Sequence, residues 1–322
     1  MDAKSGLLVV GSYVQDHVRQ TERLPLAGET RRAHGFTTTP GGKGFNQAIA
    51  ACRQGAPVQF AGAIGDDPLG RFAQAYAREA GLASRWQVIA DAPTAAAGII
   101  VDDAGRNQIL VALGANDHLD AAPLRELVES SSLLLLQLEN NLDAVRALVA
   151  MAVEAQVPVQ LNPAPMHAEV DAALLAGVAV LTPNETEFAA LVEQVAGTHI
   201  EPAQVATLSD DALHAYSRKL GVGTVVITLG EQGCFVSHGG NSRYRAGDDD
   251  RYRVPAMRVQ PVDSTGAGDA FNGALAAALL REPQAPFRSA IDHATRAAAV
   301  STEALGAAPS MPTLAQVAER FG

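Results

Sequence analysis

The chain has few cysteines, and this scarcity excludes several kinds of site. Cys52 and Cys234 are the only two among 322 residues, and they lie far apart in the sequence. They can form neither a disulfide framework nor a metal site built from several thiolates. Neither has a setting typical of a catalytic thiol, so we expect both to be small buried side chains.

Long hydrophobic runs and positive charge are also in short supply. The apolar run at residues 7–10 is too short for a signal-peptide core, and no stretch approaches the length of a membrane span. We therefore expect a cytosolic protein without a membrane partner. With 24 Lys and Arg against 35 Asp and Glu, the net charge is -11, which argues against non-specific nucleic-acid binding. Nucleotide binding stays compatible with this charge, because a few local amides can hold phosphates.

What the sequence does contain is the pattern of an α/β fold. Hydrophobic residues make up 48% and charged residues 18%, which is enough to form a core. Short apolar runs alternate with helical patterns, and this predicts a mostly parallel sheet flanked by helices. The predicted strands are 7–10, 133–138, 157–161, 178–181 and 224–228, and the predicted helices are 142–155, 185–194, 211–220 and 270–280.

The N-terminal third is richer in strand-like stretches. Residues 30–39 and 98–113 have strand character, and Asp-Ala-Gly at 103–105 predicts a hairpin turn within the second stretch. Helical patterns cover 46–54 and 70–80, the second ended by Gly81. We interpret 1–322 as one domain that carries a small N-terminal β element, built from segments near 12–40 and 97–114.

A polar residue follows each predicted strand at its carboxyl end. Taken one at a time such residues are ordinary, because polar residues commonly follow strands. Amides and carboxylates recur here, however, and ligands of open α/β sheets bind outside the carboxyl ends of the strands. We therefore predict a site that draws on Asp16, Glu139, Asn162, Asn184 and Thr228.

The most informative segment is DSTGAGD at 263–269, which leads into an amphipathic helix. Its Gly-Ala-Gly turn lets backbone N–H groups converge, and the helix dipole adds positive potential, so the turn can hold an anion. Asp269 would then lie where it can take a proton from a hydroxyl group. The alternative is a carboxylate that caps the helix beside glycines, and the motif alone does not decide between the two.

A second glycine-rich segment, PGGKGFN at 40–46, also leads into a helix. It lacks the spacing of a Walker loop and the strand–turn–helix setting of a dinucleotide fingerprint. Gly41 and Gly42 would let a ligand approach the backbone, while Lys43 and Asn46 would supply a charge and an amide. On its own, the segment is more typical of a loop tip.

Seven motifs, in order, resemble those of the ribokinase-like (PfkB) carbohydrate kinases over nearly the whole chain. They are GS at 11–12 with DH at 16–17, GGKGFN at 41–46, QLE at 137–139, NPAP at 162–165, TPNETE at 182–187, ITLG at 227–230 and DSTGAGD at 263–269. The resemblance implies a single ribokinase-like domain whose small β element forms a lid and joins two copies as a homodimer.

The resemblance also implies an activity, the ATP-dependent phosphorylation of a pentose, D-ribose, at O5. A deoxyribokinase, or another sugar or nucleoside kinase of the family, is the alternative. Two other classes stay open. A ligand-binding protein on this fold would show no ATP turnover, and a Rossmann-type oxidoreductase would carry nicotinamide or flavin.

Roles for individual residues follow from the same resemblance. Asp269 corresponds to the catalytic base, and Gly266, Ala267 and Gly268 correspond to the anion hole for the transferred phosphoryl group. The implied sugar contacts are Asp16, Gly41, Gly42, Lys43, Asn46, Glu139 and Asp269. The implied nucleotide contacts are Asn184, Thr228, Leu229, Gly230, Glu231, Gln232, Gly233, Gly268 and, on the adenine side where the pattern departs from the usual one, Thr295.

The resemblance further implies two cations. Glu187, paired with Asn184, would organise Mg²⁺ indirectly through water and phosphate. A monovalent cation, typically potassium, would steady the anion-hole loop. Its implied ligands, mostly backbone carbonyls, belong to Asp263, Thr265, Ser301, Ala304, Gly306 and Ser310.

One position departs from the family pattern. Two residues before Asp16, where ribokinases usually carry Asn, this chain has Val14, and deoxyribokinases similarly have an apolar residue there. Valine can neither donate nor accept a hydrogen bond, so we expect weaker or reversed discrimination between ribose and 2-deoxyribose. The alternative is a neutral substitution in which a water or a neighbouring group fills the place.

Overall fold

The computed structural model describes residues 4–245 and 249–322. The strands in these ranges are β1 (Leu7–Val10), β2 (Val14–Thr21), β3 (Gly35–Gly41), β4 (Val58–Gly65), β5 (Ala83–Ile89), β6 (Ala96–Asp102), β7 (Asn107–Ala112), β8 (Leu133–Gln137), β9 (Val159–Asn162), β10 (Val180–Leu181), β11 (Thr224–Thr228), β12 (Cys234–His238) and β13 (Arg251–Val254). The α-helices are α1 (Lys43–Arg53), α2 (Pro68–Glu79), α3 (Arg125–Ser130), α4 (Leu142–Glu154), α5 (Ala172–Leu175), α6 (Glu185–Ala196), α7 (Pro202–Val205), α8 (Asp210–Lys219), α9 (Ala267–Arg281), α10 (Phe287–Ser301) and α11 (Leu314–Phe321).

A nine-stranded sheet runs through the centre, in the order β13-β12-β11-β10-β9-β8-β1-β4-β5. Pairings from β11 to β5 are parallel, whereas β12 and β13 are added antiparallel. The predicted mostly parallel sheet is therefore confirmed. The sequence pattern missed β4, β5, β12 and β13, and it missed α10 and α11. β4 contains two glycines, which weaken the strand signal although the strand is almost fully buried.

The central strands are apolar on both faces because helices cover both sides of the sheet. In β1, Leu7 and Val9 pack in the cluster formed with α1 and α9. The alternate residues Leu8 and Val10 pack with α4 and α6 on the opposite side. α1 and α9 therefore lie side by side on one face, and Gly273 of α9 has no side chain that would collide with the backbone of α1.

A second sheet of four strands, in the order β3-β2-β6-β7, stands apart from the central sheet. The strand predicted at 30–39 begins later, at Gly35. β2 falls within the segment near 12–40 that was assigned to the β element, but it was not predicted as a separate strand, because its polar residues hide the alternation. Asp16 consequently lies within β2 rather than beyond the end of a central strand. The hairpin turn at 103–105 is confirmed, since the Asp102 N–H donates to the Arg106 carbonyl and Gly105 has φ +77°.

Helix α9 begins three residues earlier than predicted, at Ala267, so Asp269 lies in its first turn. Cys234 is buried as expected, but Cys52 is only partly buried, which corrects the prediction for that thiol. Among the helices of the described ranges, none has both the length and the apolar character needed to cross a lipid bilayer.

Candidate active site

The start of α1 and the start of α9 bring together the residues predicted for base catalysis. Asn46 Nδ2 donates to Asp269 Oδ2 at 2.9 Å, and Gln47 Nε2 donates to Asp269 Oδ1 at 2.9 Å. Asp269 is 7% exposed and Asn46 5% exposed. The two residues are 223 positions apart in sequence, so the juxtaposition depends on the packing of α1 against α9.

Burial controls the ionisation of Asp269. It raises the pKa of this carboxyl group, while the Lys43 ammonium group and the hydrogen bonds from Gln47 and Asn46 lower it. The net direction is upward, which is the direction that suits a group that must accept a proton during the reaction. The side-chain oxygen Oδ1 of Asn46 has no hydrogen-bond partner in the described ranges although it is buried. It is therefore free to accept a hydrogen bond from a ligand hydroxyl group.

The glycine-rich segment at 40–46 forms a tight turn held by a carboxylate. Gly42 has φ +90°, and a side chain there would collide with the backbone of β2. Glu139 Oε2 accepts hydrogen bonds from the backbone N–H of Lys43 at 2.9 Å and from Ser12 Oγ at 2.6 Å. Glu139 thus supports the turn as well as lying at the predicted sugar site. The loop-tip interpretation of this segment fails, because the turn is packed against β2 and Glu139.

Negative charge exceeds positive charge at this edge of the sheet. Burial, followed by the charges of Glu139 and Asp269, raises the pKa of Asp16 to about 7. Burial raises the pKa of Glu187 as well. Burial would lower the pKa of Lys43, but the charges of Asp269, Glu139 and Glu187 keep it above its usual value. Lys43 therefore interacts with three carboxylates, and Asp16 adds a fourth beside Glu139 and Asp269. Cationic groups would be needed before a polyphosphate could enter.

The amino end of α9 has the features of an anion site. Gly266 caps the helix with φ +78° and no side chain accepts from the first turn. Within the described ranges, the N–H groups of Gly268 and Asp269 donate to no protein acceptor. The space around Gly268 is open, since a Cβ there would meet nothing within 4 Å. These free amides and the helix dipole favour a phosphate at this point, and the Asp269 side chain does not cap the helix.

The main residues predicted to hold the nucleotide follow β10 and β11, which are neighbours in the central sheet. Asn184 caps α6, and its side chain and that of Glu187 form a reciprocal capping box. Asn184 also forms a bridge with Thr228 at the end of β11. Thr228 leads into a loop with positive φ at Gly230 and Gly233.

Two of the predicted nucleotide contacts have side chains that point elsewhere. Leu229 is 2% exposed and packs in the core, so only its backbone is available to a ligand. Thr295 is 7% exposed, and its hydroxyl group donates to the Ile291 carbonyl of its own helix. The exposed residues Gly230, Glu231 and Gln232 and the half-buried Gly233 form the accessible part of the loop.

The six residues predicted for a monovalent cation come from two segments that are tied together. Asp263 Oδ1 accepts from the Thr265 N–H and Oδ2 from the Gly306 N–H, both at 2.9 Å. Burial opposes ionisation of Asp263, but these hydrogen bonds keep its pKa below the usual value. Val262 and Asp263 also donate to the Thr302 carbonyl. Ser301 ends α10, Ala304 is exposed in the loop that follows, and Ser310 is buried beyond it.

Val14 lies at the edge of the predicted sugar site. It pairs with Gly41 across β2 and β3, and it lies on the same face of β2 as Asp16 because the two are two residues apart. Its side chain is 3% exposed and packs against Ala95 and Ala97. Valine therefore presents methyl groups, not a hydrogen-bonding group, beside the turn.

Sequence reasoning did not identify three contributors to the site. Gln47 contacts the carboxylate of Asp269, Gln137 contacts Gln47, and Ser12 contacts Glu139. Each lies within or beside a recognised motif, and each is fully buried although polar. The available signal for these residues was a polar side chain within or beside a motif, at a position where the chain enters or leaves a helix or strand. Asn162 was predicted as a site residue. Its Oδ1 accepts a hydrogen bond from Gln47 Nε2 and is therefore not left open to a ligand.

Comparisons with known proteins agree with this geometry. The sequence pattern of the pfkB family carbohydrate kinases matches residues 4–314. The ribokinase of Haemophilus influenzae is 37% identical over 317 residues, which cover 97% of each chain. The deoxyribokinase of Salmonella typhimurium is 29% identical over 320 residues, again 97% of each chain. A solved structure of Arabidopsis thaliana ribokinase complexed with ribose and ATP is similar with a TM-score of 0.83 and 29% identity, and the match covers 98% of each chain.

Proposed function

The chain belongs to the pfkB family of carbohydrate kinases, and we propose that it transfers the γ-phosphoryl group of ATP to O5 of D-ribose. One observation carries the proposal. The buried carboxylate of Asp269 lies one residue past Gly268, at a helix start where the N–H groups of Gly268 and Asp269 donate to no acceptor among the described residues. A proton acceptor and an anion site thus stand side by side, as phosphoryl transfer to an alcohol requires.

In the proposed reaction, O5 attacks the γ-phosphorus in line while Asp269 accepts the hydroxyl proton, and the bond from phosphorus to the ADP oxygen breaks. The N–H groups at Gly268 and Asp269 stabilise the charge on the transferred phosphoryl group. Asp16, the backbone of Gly41 and Gly42, Lys43, the free Oδ1 of Asn46 and Glu139 would orient the sugar. The loop from Thr228 to Gly233, together with Asn184, would hold the nucleotide.

The donor set fits Mg²⁺ as the ion that accompanies ATP. In the described ranges no group of three or more acidic, His or Cys side chains could hold a metal by itself, so phosphate and water would complete the coordination. Glu187 and Asn184 would organise the ion indirectly, through water and phosphate, and the excess of carboxylates over Lys43 favours a divalent cation there. When bound, Mg²⁺ supplies charge neutralisation for the phosphates.

A potassium ion is the second proposed cofactor. The hydrogen bonds from Thr265 and Gly306 to Asp263 hold the two implied ligand segments side by side, which supports the assignment. The segment from Asp263 to Thr265 leads directly into the anion site at Gly266, Ala267 and Gly268. An ion held there by Asp263, Thr265, Ser301, Ala304, Gly306 and Ser310, mostly through backbone carbonyls, would fix that turn.

The four-stranded sheet is the proposed lid and the proposed dimer contact. One of its faces carries Asp16 and, further out, an apolar row of Val18, Ile99 and Ile109 that the pairing of β2, β6 and β7 aligns. Ile109 is 52% exposed on the edge strand β7. An exposed apolar face beside a free strand edge favours contact with a second copy of the chain.

A deoxyribokinase is the second candidate, and Val14 is the observation that favours it. The methyl groups of Val14 beside Gly41 leave no hydrogen-bonding group for a hydroxyl on that side of the sugar. The identity to the ribokinase of Haemophilus influenzae exceeds that to the deoxyribokinase of Salmonella typhimurium, so we keep ribose as the proposed substrate.

A substrate panel tests the proposal directly. Purified protein with ATP and Mg²⁺ is assayed against ribose, 2-deoxyribose, fructose and nucleosides, and the highest kcat/KM is expected with ribose. Asp269→Asn serves as the control, with turnover expected to fall by about 10²–10⁴-fold while ATP binding is retained. Activity with a nucleoside or hexose alone, or undiminished turnover in Asp269→Asn, would refute the proposed substrate or the proposed base respectively.

A further inference from the structure

Gln47 lies between the carboxylate of Asp269 and a set of buried amides. Its Nε2 donates to Asp269 Oδ1 at 2.9 Å and to Asn162 Oδ1 at 3.0 Å, while its Oε1 accepts from Gln137 Nε2 at 2.6 Å. Both of its N–H groups and its carbonyl oxygen are therefore engaged. The side chain is 0% exposed, so the amide cannot turn without breaking buried hydrogen bonds.

The ends of central strands fix the orientation of this amide. Gln137 ends β8 and presents its N–H to Gln47 Oε1, which leaves the N–H groups of Gln47 to face Asp269 and Asn162. Asn162 ends β9 and is itself held by a hydrogen bond to the Thr182 carbonyl. The donor that reaches Asp269 is thus anchored to the ends of two fully buried central strands.

Asn46 and Gln47 are adjacent in α1 but have different relations to a substrate. Asn46 Nδ2 holds Asp269 Oδ2, and its Oδ1 has no hydrogen-bond partner among the described residues. Gln47 has no free hydrogen-bonding atom and no exposed surface. Gln47 therefore does not contact the sugar, and it can influence the reaction only through Asp269.

We propose that Gln47 is a positioning residue for phosphoryl transfer, holding the carboxylate of Asp269 in the orientation that accepts the hydroxyl proton. The inference rests on the proposed function, in which Asp269 is the base. With Oδ1 held by Gln47 and Oδ2 by Asn46, the plane of the carboxylate is fixed before substrate arrives. Removal of the Gln47 donor would free the carboxylate to rotate.

The same donor has an electrostatic effect. The charged groups that face Asp269 are Lys43 from α1, Glu139 beyond β8, Asp16 from β2 and Glu187 from α6. Of these four groups, only Lys43 favours a charged Asp269. A neutral N–H from Gln47 favours the charged form without adding another charge, so its loss should raise the pKa of the base.

Gln47→Leu removes the donor, and Gln47→Glu keeps the shape but replaces the donor with a second carboxyl group. Gln160→Leu is the matched control. Gln160 is also a fully buried glutamine that binds α9, but it contacts Asn272 and not Asp269. We expect Gln47→Leu to lower kcat at least tenfold with the KM for sugar nearly unchanged. The acidic limb of its profile of kcat/KM against pH should move up by about one pH unit. In Gln47→Glu the acidic limb should move up further, because a second carboxyl group replaces the donor.

A second readout needs no turnover. Selective ¹³C labelling of aspartate carboxyl groups, with Asp269→Asn to assign the signal, gives the titration of Asp269 in the resting protein. An upward shift in both Gln47 variants and none in Gln160→Leu supports the inference. An unchanged titration and an unchanged acidic limb, or an equal effect of Gln160→Leu, would overturn it and make Gln47 a packing residue. If no sugar is phosphorylated by the parent protein, the proposed function fails, while the titration still decides the role of Gln47.

Discussion

The carboxylate of Asp16 occupies the space that a side chain on Gly41 would need. Antiparallel pairing places Gly41 opposite Val14, two residues from Asp16 on the same face of β2. A Cβ on Gly41 would fall inside the contact distance of the Asp16 carboxylate oxygens. The position of this carboxylate therefore depends on the absence of a side chain at residue 41, and both residues belong to the proposed sugar site.

Gly41→Ala should displace Asp16 and weaken sugar binding. We expect the KM for ribose to rise at least tenfold, because a displaced carboxylate loses charge-assisted hydrogen bonds to the sugar. The KM for ATP should change less than twofold, since the nucleotide loop at 228–233 follows β11 of the central sheet, whereas Gly41 belongs to the four-stranded sheet. Initial rates with each substrate varied in turn provide the measurement.

Gly98→Ala is the matched control for this prediction. Gly98 lies in β6 of the same four-stranded sheet, and a Cβ there would meet nothing within 4 Å. Its kinetic constants should match those of the parent. Equal effects of the two substitutions, or an unchanged KM for ribose in Gly41→Ala, would contradict the assigned position of Asp16.

The raised pKa of Asp16 predicts a pH-dependent loss of stability in the ligand-free protein. The folded-state pKa of about 7 lies above the ordinary value of 3.8, so the folded chain keeps a proton that the unfolded chain releases. The contribution of this proton to the free energy of unfolding is fully present below about pH 4 and is lost as the pH rises through 7. Between pH 5 and 8 the loss from this group is about 2–3 kcal/mol.

Urea unfolding at pH 5 and pH 8 measures this loss, and Asp16→Asn should reduce it because an amide does not titrate. The exposed Asp66, which pairs with Arg71 at the surface, supplies the control variant Asp66→Asn. If Asp16→Asn and the parent lose the same free energy of unfolding over this range, burial of the Asp16 carboxylate is not the cause.

Much of the site could be predicted because its residues follow strands or begin helices. Glu139, Asn162 and Asn184 follow central strands, and parallel strands bring their carboxyl ends to one edge. Asp269 could be predicted because Gly266 and Gly268 mark a helix start. These signals are local in sequence, and the fold merely brings them together.

The remaining contacts depend on packing between distant segments. Gln47 lies inside α1, and its position directly after the glycine-rich motif was the only local signal that it is not a surface glutamine. Its contact with Asp269 exists because Gly273 allows α1 and α9 to approach closely. β2 was missed for another reason: polar residues at Gln15, Asp16, His17, Arg19 and Gln20 fall on both of its faces, and this hides the usual alternation.

Potassium should activate the enzyme. The segment that carries Asp263 and Thr265 leads into the anion site at Gly266, so an ion bound to that segment would order the amides that receive the phosphoryl group. Rates are measured in potassium, sodium and tetramethylammonium buffers at equal ionic strength. We expect the highest kcat in potassium, several-fold above that in tetramethylammonium. Equal rates in the three buffers would exclude the proposed cation site.

The protein should be a dimer that depends on the exposed apolar row of the four-stranded sheet. The double variant Ile109→Glu with Val111→Glu places charges on the edge strand β7, where desolvating them would oppose contact with a second copy. Light scattering at micromolar concentration should give a dimer for the parent and a monomer for this variant. Val88→Glu, on the edge strand β5 of the central sheet, is the control and should stay a dimer. A monomeric parent protein would contradict the proposed interface.

The substitution Val14→Asn should change the preference between ribose and 2-deoxyribose. Val14 lies on the same face of β2 as Asp16 and opposite Gly41, where an amide could reach a sugar hydroxyl group. Asparagine would offer both a donor and an acceptor to the hydroxyl that only ribose possesses. One gained hydrogen bond contributes about 0.5–1.5 kcal/mol, so the ratio of kcat/KM should move toward ribose by a few fold to about tenfold.

The control for this change is Val18→Asn, because Val18 lies on the same face of the same strand but farther from Gly41. It should leave the ratio unaltered. Deoxyribose lacks only one hydroxyl group, so a site that hydrogen-bonds that group rejects the analogue through its own unpaired polar atom, whereas an apolar site has no such penalty. The parent protein is therefore expected to discriminate weakly. If Val14→Asn leaves the ratio unchanged or moves it toward deoxyribose, the valine does not face the hydroxyl, and the weak discrimination must arise from another residue.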